Sequence, residues 1–377
     1  MYSVIDFYTG GGCLRWFHWG LLGLILLFLI LSPRWIRVGL SQDPSGQVFQ
    51  REAPEWYGIV DIWHIASFKP YVGSLTNFLA ERAAAFEKDH PGIHIRVTGL
   101  TEKQFQERIG RGDFPDAYSF AAGTLYEEQL AAFSPEVPDL VAPARPAEGS
   151  GGLYALPYCI SGYALAVNAQ QLYQAGLTLP EEGDTQGELA FLQEALSGTG
   201  KTSGLFAPAV LSAKMGLRGS LSTREDFLAG KALAALSDHY TVGAVGRNEK
   251  QNLLLDSRPC FAYSDLVQYI GPGRNADEHH RQAIAAFTEY LLSEPVQQRL
   301  GTLGLMPVVE VQEGMAFSDP LPEAFYEGYR NLRTPDPFLY QKNRDALLSE
   351  AERLLCGDES GLAAFQERFA VVFGADS

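Results

Sequence analysis

IVDIWHIASFKPYVGSLTNFLAERAAAFEKDHPGIHIRV, residues 59–97, is the stretch on which the fold turns. Its opening, within Tyr57–Ile65, alternates and gathers β-branched and aromatic residues as a buried strand does. Leu75, Phe78, Leu79, Arg82 and Phe86 then recur at helical spacing, and Asp89-His90-Pro91-Gly92 supplies the turn that stops the helix. His94–Val97 reads as a second, short strand. Working outward, residues 102–111 form a short amphipathic helix and Asp116–Phe120 (DAYSF) a third strand. This β-α-β-α-β order predicts a parallel α/β sheet. Further on, Ser134–Pro146 and Glu148–Gly152 are loops, Tyr154–Val167 is extended and apolar, and Gln170–Ala175 is helical. Residues 181–200 read as a helix between glycine-rich turns, and Phe261–Tyr269 as another strand. Glu278–Leu300 is a long amphipathic helix, and helices around Arg344–Leu355 and Leu362–Phe373 close the chain. No repeat at solenoid period occurs.

The chain has 377 residues, is 46% hydrophobic and 20% charged, and carries a formal net charge of -16. That is apolar enough to build a substantial core, and the length suggests about two domains. Residues 1–55 hold four basic groups (Arg15, Arg34, Arg37, Arg51) and four acidic ones (Asp6, Asp43, Glu52, Glu55), so the remainder owns the whole -16. A body this acidic repels phosphate backbones, which argues against nucleic acid as a partner. Four cysteines in so long a chain exclude a disulfide-stapled scaffold.

From Trp16 to Leu31 the sequence WFHWGLLGLILLFLIL carries no charge. As a helix it rises roughly 24 Å, slightly short of the ~30 Å hydrocarbon core, with Trp16, Trp19 and Trp35 placed for the interfaces. No small-x-small cleavage site follows, and no cysteine follows for lipidation, which favours an uncleaved anchor over a cleaved signal peptide. The expected organisation is a tail at 1–15, a membrane anchor at 16–36 and a linker at 37–55, with the body starting near Trp56. Arg15 on one side against Arg34 and Arg37 on the other does not favour an exported C-terminus.

Five segments of the body together resemble the extracellular solute-binding proteins of ABC importers, of the carbohydrate type known as family 1. They are the stretch at 59–97, with its "FEK-x-x-PGI" turn; FPDAYSFAAG at 114–123; LYALPYCISGYALAVNAQQLYQAGL at 153–177; FLAGKALAAL at 227–236; and FTEYLLSEPVQQRLGTLGLMPV at 287–308. Each is weak singly; their shared order across residues 56–373 is specific. The sequence departs from the family pattern at Asp184–Leu189 (DTQGEL) and is short between 205 and 225, which bears on ligand size. The resemblance implies a two-lobed periplasmic-binding-protein-like α/β fold with a hinge. It places an N-terminal lobe at 56–160 and 265–309 and a C-terminal lobe at 161–264 and 310–377, crossing near Ser161 and Ser264. It implies a monomer that captures a small solute such as a sugar between the lobes and passes it to ABC permease subunits, with the body outside the cytoplasm. FLAGKALAAL is expected to be a helix.

Candidate ligand-binding residues follow from that architecture. Trp63 ends the first strand, where the carboxyl edge should face the cleft; an aromatic face there stacks on a sugar, the alternative being a core tryptophan. Ser67 offers a hydroxyl or is a plain loop serine. Asp116 accepts from solute hydroxyls, pairs with a ligand ammonium, or caps the turn after Pro115, and Phe120 flanks the same strand. Tyr158, Tyr163 and Tyr263 sit at the crossings and serve either ligand contact or hinge packing. Tyr240 stands near the family's stacking aromatic. Cys159 and Cys260 would lie on adjacent crossings, either as a disulfide or as two small buried residues.

No cofactor or metal is expected. Residues 195–202 (ALSGTGKT) match a relaxed phosphate-loop pattern, but a helical pattern precedes them where such a loop needs a strand. His279-His280, within DEHHRQ, lacks zinc-ligand spacing and reads as surface. With no G-x-S-x-G motif and no carboxylate pair singled out, an enzyme on this scaffold has no positive support. A sensor of the same fold that signals to a membrane partner remains the alternative to transport.

Overall fold

The computed structural model describes residues 56–179, 190–194, 210, 212–214, 216, 224–248, 253–256, 263–312 and 314–374. The anchor expected at 16–36, the phosphate-loop-like residues 195–202 and Cys260 lie outside the described residues. Among the described residues no helix is long and apolar enough to cross a membrane.

The stretch that opened the sequence folds as strand, helix, strand. Strand β1 (Gly58–Ile65) leads to helix α1 (Leu75–Asp89), capped by the Ser74 hydroxyl on the Asn77 amide, and β2 (Ile93–Leu100) returns parallel to β1. Leu75, Phe78, Leu79, Ala83 and Phe86 are the buried face of α1. Helix α2 (Glu102–Gly110) begins with a reciprocal Thr101/Gln104 cap, and β3 (Ala117–Ala121) lies parallel to β1 on its other side. The parallel portion ends there. Strands β4 (Ala147–Gly149), β5 (Gly152–Ile160) and β9 (Val267–Pro272) complete a six-stranded sheet of order β2-β1-β3-β9-β5-β4, joined by antiparallel pairings. The expected parallel sheet is therefore mixed, because β9 enters it from the far side of the chain.

A second sheet, of order β7-β6-β8, is wholly antiparallel. It comprises β6 (Tyr163–Asn168), β7 (Ala234–Asp238) and β8 (Leu253–Asp256). Helix α3 (Ala169–Gln174) follows β6, with Asn168 capping its first amides. FLAGKALAAL is not the helix expected. Helix α4 (Arg224–Leu228) ends before Gly230, at φ 68, and Ala234–Asp238 is strand β7, paired along its length with β6. Alanine has the highest helix propensity, but propensity is a weak preference and strand pairing overrides it. Helix α5 (His239–Asn248) follows β7.

The long helix expected at 278–300 is divided. Helix α6 (Glu278–Leu292) ends at Ser293, α7 (Glu294–Gln298) restarts with Pro295 in its first turn, and a 3-10 segment runs Arg299–Leu303. Helices α8 (Pro320–Gly328), α9 (Pro337–Leu355) and α10 (Leu362–Phe373) close the chain. The Thr334 hydroxyl donates to the Pro143 carbonyl beside α9, Phe338 packs edge-on to Tyr154, and the Arg145 guanidinium donates to the Phe373 carbonyl. The closing helices thus brace the first sheet.

Candidate functional site

Three chain segments lie side by side where the chain passes between the sheets. Ile160 and Met306 exchange both backbone hydrogen bonds, the Ser161 amide donates to the Leu266 carbonyl at 2.8 Å, and the Ser264 hydroxyl donates to the Ser161 carbonyl at 2.7 Å. Gly162 sits beside them because a Cβ there would come within 2.2 Å of the Phe325 ring.

Around this junction runs a closed circuit of contacts. At the carboxyl end of β1 the Ser67 hydroxyl meets that of Thr124, past the end of β3, at 3.4 Å. Gly123, at φ 73, lies under the Tyr340 ring, 2.6 Å from where its Cβ would stand. Tyr340 donates its hydroxyl to Asp265 Oδ2 at 2.5 Å, and Tyr163 donates to Asp265 Oδ1 at 2.6 Å. Tyr163 pairs across the second sheet with Asp238, two residues before Tyr240. The Lys69 ammonium stands 4.8 Å over the Tyr240 ring, two residues from Ser67. Burial first, then the Asp265 carboxylate, holds both phenols well above their ordinary range, so they remain protonated donors. The circuit offers hydroxyls, a half-buried carboxylate, an aromatic face and one exposed ammonium.

The eight residues singled out in the sequence divide clearly. Ser67 and Tyr240 belong to the circuit, and Tyr163 holds its carboxylate. Trp63 does not: it is 7% exposed, edge-on to Tyr118 at 6.4 Å and covered by the Arg108 guanidinium at 5.0 Å. It packs in the core because β1 is covered on both faces, leaving no open face near its end. Phe120 is fully buried and stacks on Tyr269. Tyr158 is fully buried too, its hydroxyl 2.9 Å from Ser119, which also meets His64 Nδ1 at 3.0 Å and Gln268 Nε2 at 3.1 Å. This is a buried polar network, with His64 lowered to about 4 by burial. Asp116 is at the wrong end of the sheet. It precedes β3, which runs parallel to β1, so it sits at the amino ends, where its carboxylate accepts from the Asp61 amide. Its neighbour there is His280, at 3.8 Å. Tyr263 packs edge-on to Phe369 and Phe373. Cys159 is fully buried, and burial pushes its thiol up.

Asp265, Lys69, Thr124 and Tyr340 were not singled out. Asp265 adjoins Ser264, already placed at a crossing, so a carboxylate beside a crossing was the available signal. Tyr340 lies 75 residues away and had none. Among the described residues no group of three or more His, Cys, Asp or Glu is arranged to hold a metal ion.

No family model and no curated protein matches the chain. Solved structures do match. The cyclic alpha-maltosyl-1,6-maltose binding protein from Arthrobacter globiformis aligns at 15% identity with a TM-score of 0.57, covering 84% of this chain and 98% of that one. The galacto-N-biose-/lacto-N-biose I-binding protein of an ABC transporter from Bifidobacterium longum aligns at 11% identity with a TM-score of 0.55, covering 85% and 96%. A family 1 extracellular solute-binding protein from Bifidobacterium longum subsp. infantis aligns at 13% with a TM-score of 0.54, covering 84% and 99%. The mixed α/β fold, with its two sheets, is shared with these two-lobed solute-binding proteins.

Proposed function

We propose that the protein is a membrane-anchored, extracytoplasmic solute-binding protein that captures a small neutral polyol, such as a sugar, between its lobes and delivers it to an ABC permease. The contact circuit around the junction carries this reading. It draws on both lobes, so a solute inside it binds best when the lobes are together. Its chemistry suits hydroxyl groups: Asp265 accepts, Ser67 and Thr124 do both, and the Tyr240 ring offers a face for C–H groups. Lys69 and Asp265 bring opposite charges to the same circuit, which favours a neutral solute over an ion. The neighbours of shared fold are binding proteins by description, and no step of chemistry is assigned to the circuit. The apolar run at 16–31 serves as the anchor, and residues 37–55 as the tether.

A thermal-shift screen of the detergent-solubilised full chain against mono- and oligosaccharides, amines and short peptides tests this. A saccharide at 100-fold its dissociation constant stabilises by about 2.7 kcal/mol, an unmistakable upward shift. Stabilisation by peptides or amines alone, with no saccharide effective, would falsify the sugar reading.

A further inference from the structure

The loop between β1 and α1 leaves the first lobe and enters the second. Its tip residue, Tyr71, is 2% exposed and belongs to a cluster of buried residues drawn otherwise from the other lobe: Ala164 and Ala166 on β6, Phe227 on α4, Ala235 on β7, Val242 and Val245 on α5, and Leu321 on α8. The seat is made by small residues. On the other lobe's side a Cβ on Gly243 would stand 2.2 Å from the Tyr71 ring; on the strap's own side one on Gly304, at φ 67, would stand 2.5 Å from the Tyr71 Cβ. Arg247 of α5 closes the seat, its guanidinium 4.7 Å from the ring centre and donating to the Tyr71 carbonyl at 3.2 Å. Burial and the adjacent Asp319 carboxylate raise the phenol to about 12, so it enters the seat uncharged. Two residues earlier, Lys69 reaches the same helix by covering Tyr240.

We propose that residues 66–73 are a strap, with Tyr71 as its latch, that holds the two lobes together before any solute arrives. The strap is anchored at both ends in the first lobe, by β1 and by Leu75 on α1, which is 2% exposed. Moving the lobes apart must therefore withdraw the ring from its seat or drag the seat with it. Withdrawal strips water-excluded contacts from an aromatic ring and leaves an alanine- and glycine-lined hole, both unfavourable. Lys69 meanwhile occupies the Tyr240 face that a solute would use, so solute entry and strap release are linked. The inference rests on the two-lobed reading of the site but needs no ligand to be tested.

The test measures the distance between lobes in the full chain by paired spin labels. Cys13, Cys260 and Cys356 are replaced by serine, Cys159 being buried, and labels are placed through Glu81→Cys on α1 and Tyr173→Cys on α3, both well exposed. Without solute, the otherwise unaltered protein should show one short distance. Tyr71→Ala, which removes the latch, and Gly243→Ala, which fills its seat, should each shift the population to a longer distance. Tyr71→Phe, which keeps the ring, should retain the short one. A long distance in the solute-free protein with Tyr71 intact overturns the proposal whatever the variants do, as does an unchanged short distance in Tyr71→Ala. Failure of every saccharide to bind would refute the function proposed above and leave these distances to be read as they stand.

Discussion

Replacing Asp265 by Asn probes the one carboxylate that ties the junction together. Both its oxygens accept from phenols, Tyr163 at 2.6 Å and Tyr340 at 2.5 Å, and the two tyrosines come from different parts of the chain. A hydrogen bond to a charged group contributes roughly 1.5–3 kcal/mol and a neutral one about 0.5–1.5. Asparagine keeps the shape but presents one acceptor and one donor to two donors, so one phenol loses its acceptor and the other loses the charge. Discounting for the half-exposed carboxylate, the loss should be about 2 kcal/mol. Urea unfolding of the full chain measures it. A double-mutant cycle with Tyr163→Phe isolates the pair, and the coupling should exceed about 0.5 kcal/mol, the scatter expected of independent sites. If Asp265→Asn is as stable as the parent, or the cycle closes with no coupling, the carboxylate is not a structural tie and the circuit loses its keystone. The same variant reads function. If Asp265 also accepts from a solute hydroxyl, saccharide affinity should fall about tenfold, the equivalent of 1.4 kcal/mol.

Two further outcomes follow from burial. His64 and His239 are both lowered to about 4 by desolvation, so between pH 6.5 and 4 the unfolded chain takes up protons that the folded one refuses. Stability should be complete above pH 6.5 and fall as the pH drops toward 4, by about 1.4 kcal/mol per pH unit for each histidine at the steepest. Asp358, held near 2 chiefly by Ser360 and Arg353, adds its own loss only below pH 4. Urea midpoints at pH 7.5 and 5 should therefore differ, and His64→Gln should flatten the difference; a flat profile in the parent would show that neither histidine is protected. Trp63→Ala should cost about 3–5 kcal/mol as a core truncation, measured by the same unfolding, while saccharide affinity of the folded protein stays within twofold. A large affinity loss would return Trp63 to the binding site.

What the sequence made legible was local. The β1–α1–β2 unit is readable because its periodicity and its Asp89-His90-Pro91-Gly92 turn lie close together in the chain and agree with one another. The two serines at the junction were placed through family resemblance, and they do bond across it. What failed was whatever depended on the partner of a strand. Ala234–Asp238 carries an alanine-rich, helix-prone sequence, and only the presence of β6 beside it makes it a strand. Asp116 and Ser67 both adjoin strands of the first sheet, yet strand direction sends one to the amino ends and the other to the carboxyl ends. Trp63 drew attention as a rare aromatic at a strand end, but rarity says nothing about whether the sheet face above it is covered.

The residues that matter most at the junction share the property that hid them. Tyr71 falls in the connection between β1 and α1, where a loop tyrosine has no distinguishing pattern. Its significance is carried by Gly243 and Gly304, 172 and 233 residues away, whose missing side chains make its seat. Asp265 likewise takes its meaning from Tyr163 and Tyr340. A core announces itself by periodicity because many residues repeat the same choice. A latch or a tie is made once, by a ring and a hole or a carboxylate and two phenols, and nothing in the flanking sequence has to repeat. It follows that changes at Gly243, in a helix whose pattern a Gly→Ala substitution would improve, should disturb the junction more than its local chemistry suggests.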